Sequence, residues 1–519
     1  MPAERVQPRR VRPRSTPRTI AVVAAPALLA VVLGVQRSAV MPLWRDEFAT
    51  RLYASLSPAD LFRATAHVDA VLTPYYLLMH ALSGATGLGM GMRIPSLVAF
   101  GVAVAGVALL ALCWFGPGRP GTVGALVAGT AVATNGVLIS QAANARPYAL
   151  ATMFVVLAVL GLELARRGRL IAGGVGFAAC AAAAVALQPF AALMLVATVA
   201  LAAGRGRRAV LLWLGVSVPW VVVAGAMLWS GRGQAGQLAW VAVPGFDTIL
   251  RTLGALAGAP VTAPAPAAAL AVAGVAALGV VALIALRRAR AAVIFALLAA
   301  FLPTVALSVA SVTVHPVLDV RYVTWSCTGT ALLLGGAASA AVRAFPRRAH
   351  RRWPAIGGAL VAVLVAVSST VTAIAWVDPP ARKDDFPAAV ARIDRDARLG
   401  DLVVVVQRYE QGGVAFGMAL AAGDDAYVRE VVGDVTRGAR TVLDLRRVVG
   451  RDPLRTVPAA PGEAAGDGRT LWIVSIWPPQ REDPAVLGPH IADCYRRAAA
   501  APRIPVTGTR LSRAPCIAG

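Results

Sequence analysis

An all-α polytopic membrane protein of about eleven spanning helices, followed by a C-terminal α/β soluble domain, is the fold class this sequence predicts. Three observations predict it. Hydrophobic residues fill 58% of the 519 positions, charged residues only 15%, and mean hydropathy is +0.67. A soluble protein of this length needs far more charge on its surface. Apolar runs recur along the first 376 positions, each long enough to cross a hydrocarbon core of about 30 Å. Beyond them the composition turns mixed, and most of the Asp and Glu lies there.

The net charge of +24 does not point to nucleic acid, because the arginines cluster between apolar runs and not along one face of a folded domain. Nearly all the positive charge is arginine, with Lys383 the only lysine, a bias typical of a GC-rich bacterial genome. Five cysteines without CxxC spacing exclude a zinc ribbon. Residues 1–18 form a basic cytoplasmic N-terminus, with Arg5, Arg9, Arg10, Arg12, Arg14 and Arg18 ahead of the first apolar run. No small-residue cleavage site follows, so that run is expected to stay as the first helix.

The predicted spans are 19–35, 93–115, 121–140, 145–165, 170–187, 188–204, 209–229, 265–286, 291–311, 323–342 and 354–376, together making a transmembrane domain over 19–376. The run 71–88 is a further candidate, and the arginines decide against it. With 71–88 lying on the outer leaflet, Arg119, the 166–169, 205–208 and 287–290 clusters and the 343–352 cluster all share the side of the N-terminus. That is the arrangement the positive-inside rule prefers. It places the first loop, 36–92, and the tail, 377–519, outside a plasma membrane. In the tail, 385–397 reads as a helix, and Leu402–Val406 and Leu471–Ile476 read as buried strands. Cys494 and Cys516 are its only cysteines and are expected to pair in an oxidising compartment.

Polar detail concentrates in the outer loop and at a few outer helix ends. Asp46 and Glu47 follow Trp44 just outside the first span, an acidic site at headgroup depth. A carboxylate there can take the proton of an attacking hydroxyl. His67, Asp69, Tyr75 and Tyr76 come next, then Arg93 at the start of the second span. Arg146 and Tyr148, and later Arg321 and Tyr322 near His315 and Asp319, stand at outer helix ends, against the positive-inside bias. An arginine so placed suits a phosphate, which it grips with two parallel hydrogen bonds.

The order of these features resembles the GT-C glycosyltransferases of the glycosyltransferase family 39 type, which includes protein O-mannosyltransferases and lipid A aminoarabinose transferases. The residues that carry the resemblance are Asp46-Glu47, Pro74-Tyr75-Tyr76-Leu77-Leu78, Arg93-Ile94-Pro95-Ser96 and Ala145-Arg146-Pro147-Tyr148. It covers about residues 20–340. The resemblance implies transfer of a sugar, mannose first and arabinose second, from a polyprenyl-phosphate donor to a hydroxyl on a lipid, a polysaccharide or a protein. It implies Asp46 as catalytic base and Glu47 beside it shaping the acceptor site. His67, Asp69, Tyr75, Tyr76, Arg93, Tyr148 and Tyr322 would line the substrate pocket, and Arg146 and Arg321 would hold the phosphate. Leu72-Thr73-Pro74 departs from the family's His-Pro-Pro, which weakens the placement of His67. No cofactor is called for, although a divalent metal stays open; the partners are the donor, the acceptor and membrane lipids, not nucleic acid. The alternative is a multi-pass transporter or flippase of a lipid-linked substrate. Transporters gather ionisable residues near mid-membrane, where this chain has almost none.

Overall fold

The computed structural model describes residues 17–238, 240–344, 384–407, 412–439, 443–460, 469–476, 484–506 and 509–516. The first helix, α1, is Pro17–Val40. The loop after it is itself helical, with α2 (Arg45–Ser55), α3 (Pro58–His67) and α4 (Thr73–Thr86). The bundle continues with α5 (Ile94–Phe115), α6 (Arg119–Ala133), α7 (Gly136–Ala142), α8 (Tyr148–Arg166) and α9 (Leu170–Leu187). Then come α10 (Ala192–Ala197), α11 (Val199–Ala203), α12 (Arg207–Gly231), α13 (Phe246–Leu256), α14 (Ala265–Ala285), α15 (Arg290–Thr313) and α16 (Ser326–Ala344).

Among the described residues seven helices are long and apolar enough to cross a membrane, namely α1, α5, α8, α9, α12, α14 and α15. The chain is a multi-pass membrane protein. Three expected spans take a different form, and one lies outside the described residues. The run 121–140 is not one straight helix: α6 and α7 meet at a 60° bend. The Asn135 side chain causes it, accepting from the amides of Val137 and Leu138 and so starting a new helix. The run 188–204 is a short, broken helix, Pro189–Ala203. The run 323–342 appears as α16, buried in the bundle along Ser326–Ala340 except at two partly exposed positions. The one outside the described residues is the span 354–376. Residues 73–86 form the 14-residue α4, which packs on α2 and α3. At about 1.5 Å per residue that is too short to cross.

Small residues let these helices approach closely, as packing in lipid requires. A Cβ at Gly335 of α16 would lie 2.4 Å from the Gly124 carbonyl oxygen of α6. The ends of the bundle differ sharply. At one end, Arg343 donates to the Phe115 carbonyl, Arg167 to that of Cys113 at 3.2 Å, and Arg205 to that of Arg166. Four of the arginine clusters therefore share this end, since Gly204 also abuts Ala291 beside Arg290. The first loop and the tail meet at the other end.

The tail folds as a five-stranded sheet in the order β3-β2-β1-β4-β5, built from β1 (Leu402–Val406), β2 (Leu443–Gly450), β3 (Arg455–Pro458), β4 (Thr470–Ser475) and β5 (Arg510–Pro515). Strands β1 and β4 run parallel, and the other pairs are antiparallel. Its helices are α17 (Phe386–Asp396), α18 (Gly413–Ala421), α19 (Asp425–Arg437) and α20 (Pro489–Ala500). Alternate residues of β1 face opposite sides of the sheet. Leu402, Val404 and Val406 pack with Ile491 and Tyr495 of α20. Val403 and Val405 join the larger core with Phe386 and Phe416, and with Phe48 of α2. Cys494 and Cys516 are joined by a disulfide. Closing that loop stabilises the domain by about 3 kcal/mol in the chain-entropy treatment.

Candidate active site

A cavity of about 530 Å³ opens where the bundle, the first loop and the tail converge. Asp46, in the first turn of α2, faces it. Its Oδ2 accepts from Arg321 Nη1 at 3.2 Å and lies 4.0 Å from Arg146 Nε. Arg45 Nε is 3.8 Å from Oδ1, so three guanidinium groups surround one carboxylate. Arg146 precedes α8, and Arg321 sits in a 3-10 turn, Val320–Val323, before α16. Both side chains thus project from helix starts, rigid supports for a charge.

Burial alone would lower the Arg321 guanidinium, but Tyr148, Tyr322, Asp319 and Asp46 prevail and hold it above its ordinary value. It keeps its charge at any physiological pH. The Arg321 guanidinium also stacks over Trp240, 4.5 Å from the ring centroid. Tyr148, Tyr322 and Phe190 form an aromatic flank, with ring centroids 5.5 to 6.1 Å apart. Asp69, in a left-handed backbone conformation, also lines the cavity and accepts from the Tyr76 hydroxyl at 2.8 Å. Burial, and then Asp69, push the Tyr76 phenol well above its ordinary value.

Six of the eleven expected residues face the cavity: Asp46, Asp69, Arg146, Tyr148, Arg321 and Tyr322. The other five do not line it. Glu47 was expected beside the base on the acceptor side; its carboxylate instead turns inward, fully buried, and takes a two-pronged grip from Arg93 at 2.7 and 2.6 Å. The same carboxylate accepts from the Ala145 amide at 2.8 Å. Arg93 also donates to the carbonyls of Ser38, Met41 and Pro42. This knot ties the end of α1, the start of α2, the start of α5 and the Arg146 loop into one rigid mount. Tyr75 is buried behind it, and Tyr76 stacks on Tyr53 at 4.6 Å, its hydroxyl 3.5 Å from Arg146. His67 is exposed to one side, against Gly438 of the tail.

Sequence reasoning missed Arg45, Gln188, Gln234, Trp240 and Gln407, all of which line the cavity. For Gln188 a signal existed: Gln188-Pro189 is a polar break between two apolar runs. Gln234 holds the segment after α12 against the first loop, accepting from the Ala70 amide at 2.8 Å and donating to the Thr65 carbonyl at 3.2 Å. Gln407 comes from the tail, whose approach to the site has no local signature. Among the described residues no three His, Cys, Asp or Glu side chains gather in a way that would hold a metal ion.

No protein-family model matches the sequence, and no curated protein matches it. Among solved structures, the chain is similar to ArnT from Cupriavidus metallidurans bound to undecaprenyl phosphate, at 14% identity and a TM-score of 0.48, over 95% of this chain and 98% of that one. It is also similar to the apo state of the same protein, at 17% identity and a TM-score of 0.41, over 80% and 77% of the two chains. These are likenesses of overall shape, and no chemistry follows from them.

Proposed function

We propose that the protein is a membrane glycosyltransferase that moves a sugar, mannose in the first instance, from a polyprenyl-phosphate donor to an acceptor hydroxyl at the outer membrane surface. The observation that carries this reading is Asp46 held between Arg321 and Arg146 at the mouth of the bundle. The order of sequence motifs shared with the family 39 transferases supports it. Such a transfer needs three things in one place: a base, a cationic seat for a departing phosphate, and an aromatic wall for a ring or chain. A carboxylate, guanidinium groups and an aromatic flank line this cavity, the groups that could fill those roles.

In the proposed step, Asp46 takes the proton of the acceptor hydroxyl as its oxygen attacks the anomeric carbon. The bond from that carbon to the phosphate oxygen breaks, and the electron pair leaves with the phosphate. Arg146 and Arg321 stabilise the charge that develops there. Without donor these arginines hold Asp46 itself; an arriving phosphate takes over their charge and releases the carboxylate to act as a base. Glu47 and Arg93 act by positioning the first turn of α2. The topology that accompanies this reading puts the cavity and tail outside and the arginine end in the cytoplasm.

Purified protein should consume radiolabelled polyprenyl-phosphate mannose and release polyprenyl phosphate. Consumption of the arabinose donor alone would correct the sugar. Inertness toward both donors, with no competition by free polyprenyl phosphate, would overturn the reading.

A further inference from the structure

The tail does more than sit over the bundle. It forms one wall of the cavity, through Gln407, Gly413, Val414 and Ile476. These residues share a place in the fold. Gln407 follows β1 and Ile476 follows β4, and these are the two parallel strands at the centre of the sheet. The carboxyl ends of parallel strands, with a helix starting beside them, are where α/β sheets bind ligands. Here that edge opens onto Asp46.

Gln407 is 5% exposed, and its orientation is settled by one bond: its Oε1 accepts from the Ala415 amide at 3.1 Å. Its Nε2 therefore carries the remaining hydrogens, and it donates to no described residue. An amide donor on the lining of a cavity can be met by a hydroxyl oxygen of a molecule held there. Among the described residues the tail's part of this wall is neutral and apolar; the guanidinium groups of Arg146 and Arg321 belong to the bundle, and that of Arg45 is engaged with Asp46 and Asp384. A neutral donor beside Val414 and Ile476 suits the hydroxyls and C–H faces of a sugar ring, not a phosphate.

We infer that the tail supplies the acceptor subsite, and that Gln407 donates a hydrogen bond to a hydroxyl oxygen of a saccharide acceptor. This rests on the transferase reading and names the acceptor's class. The wall is fixed to the base helix. A Cβ on Gly413 would lie 2.4 Å from the Arg45 carbonyl oxygen, and Asp384 accepts from the Arg45 amide at 3.0 Å. An acceptor held by Gln407 would lie on the tail side of the cavity, beside the helix that carries Asp46.

The test uses the full chain with polyprenyl-phosphate mannose as donor, and p-nitrophenyl α-mannoside or a Ser/Thr-rich peptide as acceptor. Glycoside binding is followed separately through tryptophan fluorescence. Gln407→Glu keeps the bond to Ala415 and removes the donor; Gln407→Leu removes both. Each should raise the KM for the glycoside about tenfold, the loss of one hydrogen bond, with the KM for the donor within about twofold of the parent. Glycoside KM and binding unchanged in both variants would overturn the subsite and leave the transferase reading standing. Transfer by the parent to the peptide but not to the glycoside would overturn the saccharide assignment. Gln407-dependent glycoside binding without any transfer would uphold the subsite and sink the transferase reading. Neither binding nor transfer by the parent would overturn both.

Discussion

The two neighbouring carboxylates of the first loop have opposite fates, and substitution separates them. Asp46→Asn preserves shape and removes the proton acceptor, so turnover should fall at least about 100-fold, with a smaller loss of thermal stability than at Glu47 because Asp46 lines the open cavity. Glu47→Ala leaves Arg93 buried and unpaired, a loss on the order of 3–5 kcal/mol that should appear as a marked drop in unfolding temperature in detergent. Equal stability of the two variants would contradict the division of roles. Arg146→Lys and Arg321→Lys keep the charge and lose the planar fork, so each should raise the KM for donor; donor use at the parental level in both would make these arginines merely interfacial. The sequence revealed the pair but not which member faces the cavity. Adjacent residues in a helix point about 100° apart, and which one turns inward depends on Arg93, 46 positions away. Arg146 and Arg321 were legible because they break the charge pattern of the bundle. Gln407 broke no pattern and stayed hidden.

Among elements, α18 and α2 form a close joint beside the cavity. Gly412 has a φ of +66° and Gly413 has no room for a side chain, so the start of α18 rests directly on the backbone of the helix bearing Asp46. Gly413→Ala should force the two helices apart, lower turnover about tenfold or more and leave the bundle intact, checked by activity alongside unfolding of the purified protein. Parental activity would mean that the joint yields without consequence. Long spans such as α5 and α8 were legible from apolar length alone. The α6–α7 bend was not, because Asn135 sits in an apolar run and acts only when its side chain caps α7. Nor was α13, a short helix whose last carbonyls are taken by Asn135 and Thr330. Its apolar positions repeat at helical spacing, but 11 residues fall short of a span.

For the whole molecule, the arrangement in the membrane is the feature most open to test. In a background with Cys113, Cys180 and Cys327 replaced by alanine, Arg169→Cys should resist a membrane-impermeant thiol reagent in intact cells, and Ala426→Cys should react. The reverse labelling would invert the proposed topology. The charge bias legible in the sequence has a physical counterpart in the gathering of arginine clusters at one end of the bundle. The convergence of loop and tail was not legible, because it rests on contacts between parts of the chain hundreds of positions apart. The bond from the Arg45 amide to Asp384 spans 339 positions. That distance has a meaning during synthesis. The helix carrying Asp46 leaves the ribosome early, yet the carboxylate that caps its first turn, and the wall that completes its cavity, are made near the end. Contacts of such long range form late. A nascent chain therefore has the first turn of α2 uncapped and the cavity open on one side. On the proposed topology and function, the cavity is complete only after the tail has crossed the membrane, so transfer would wait for translocation to finish.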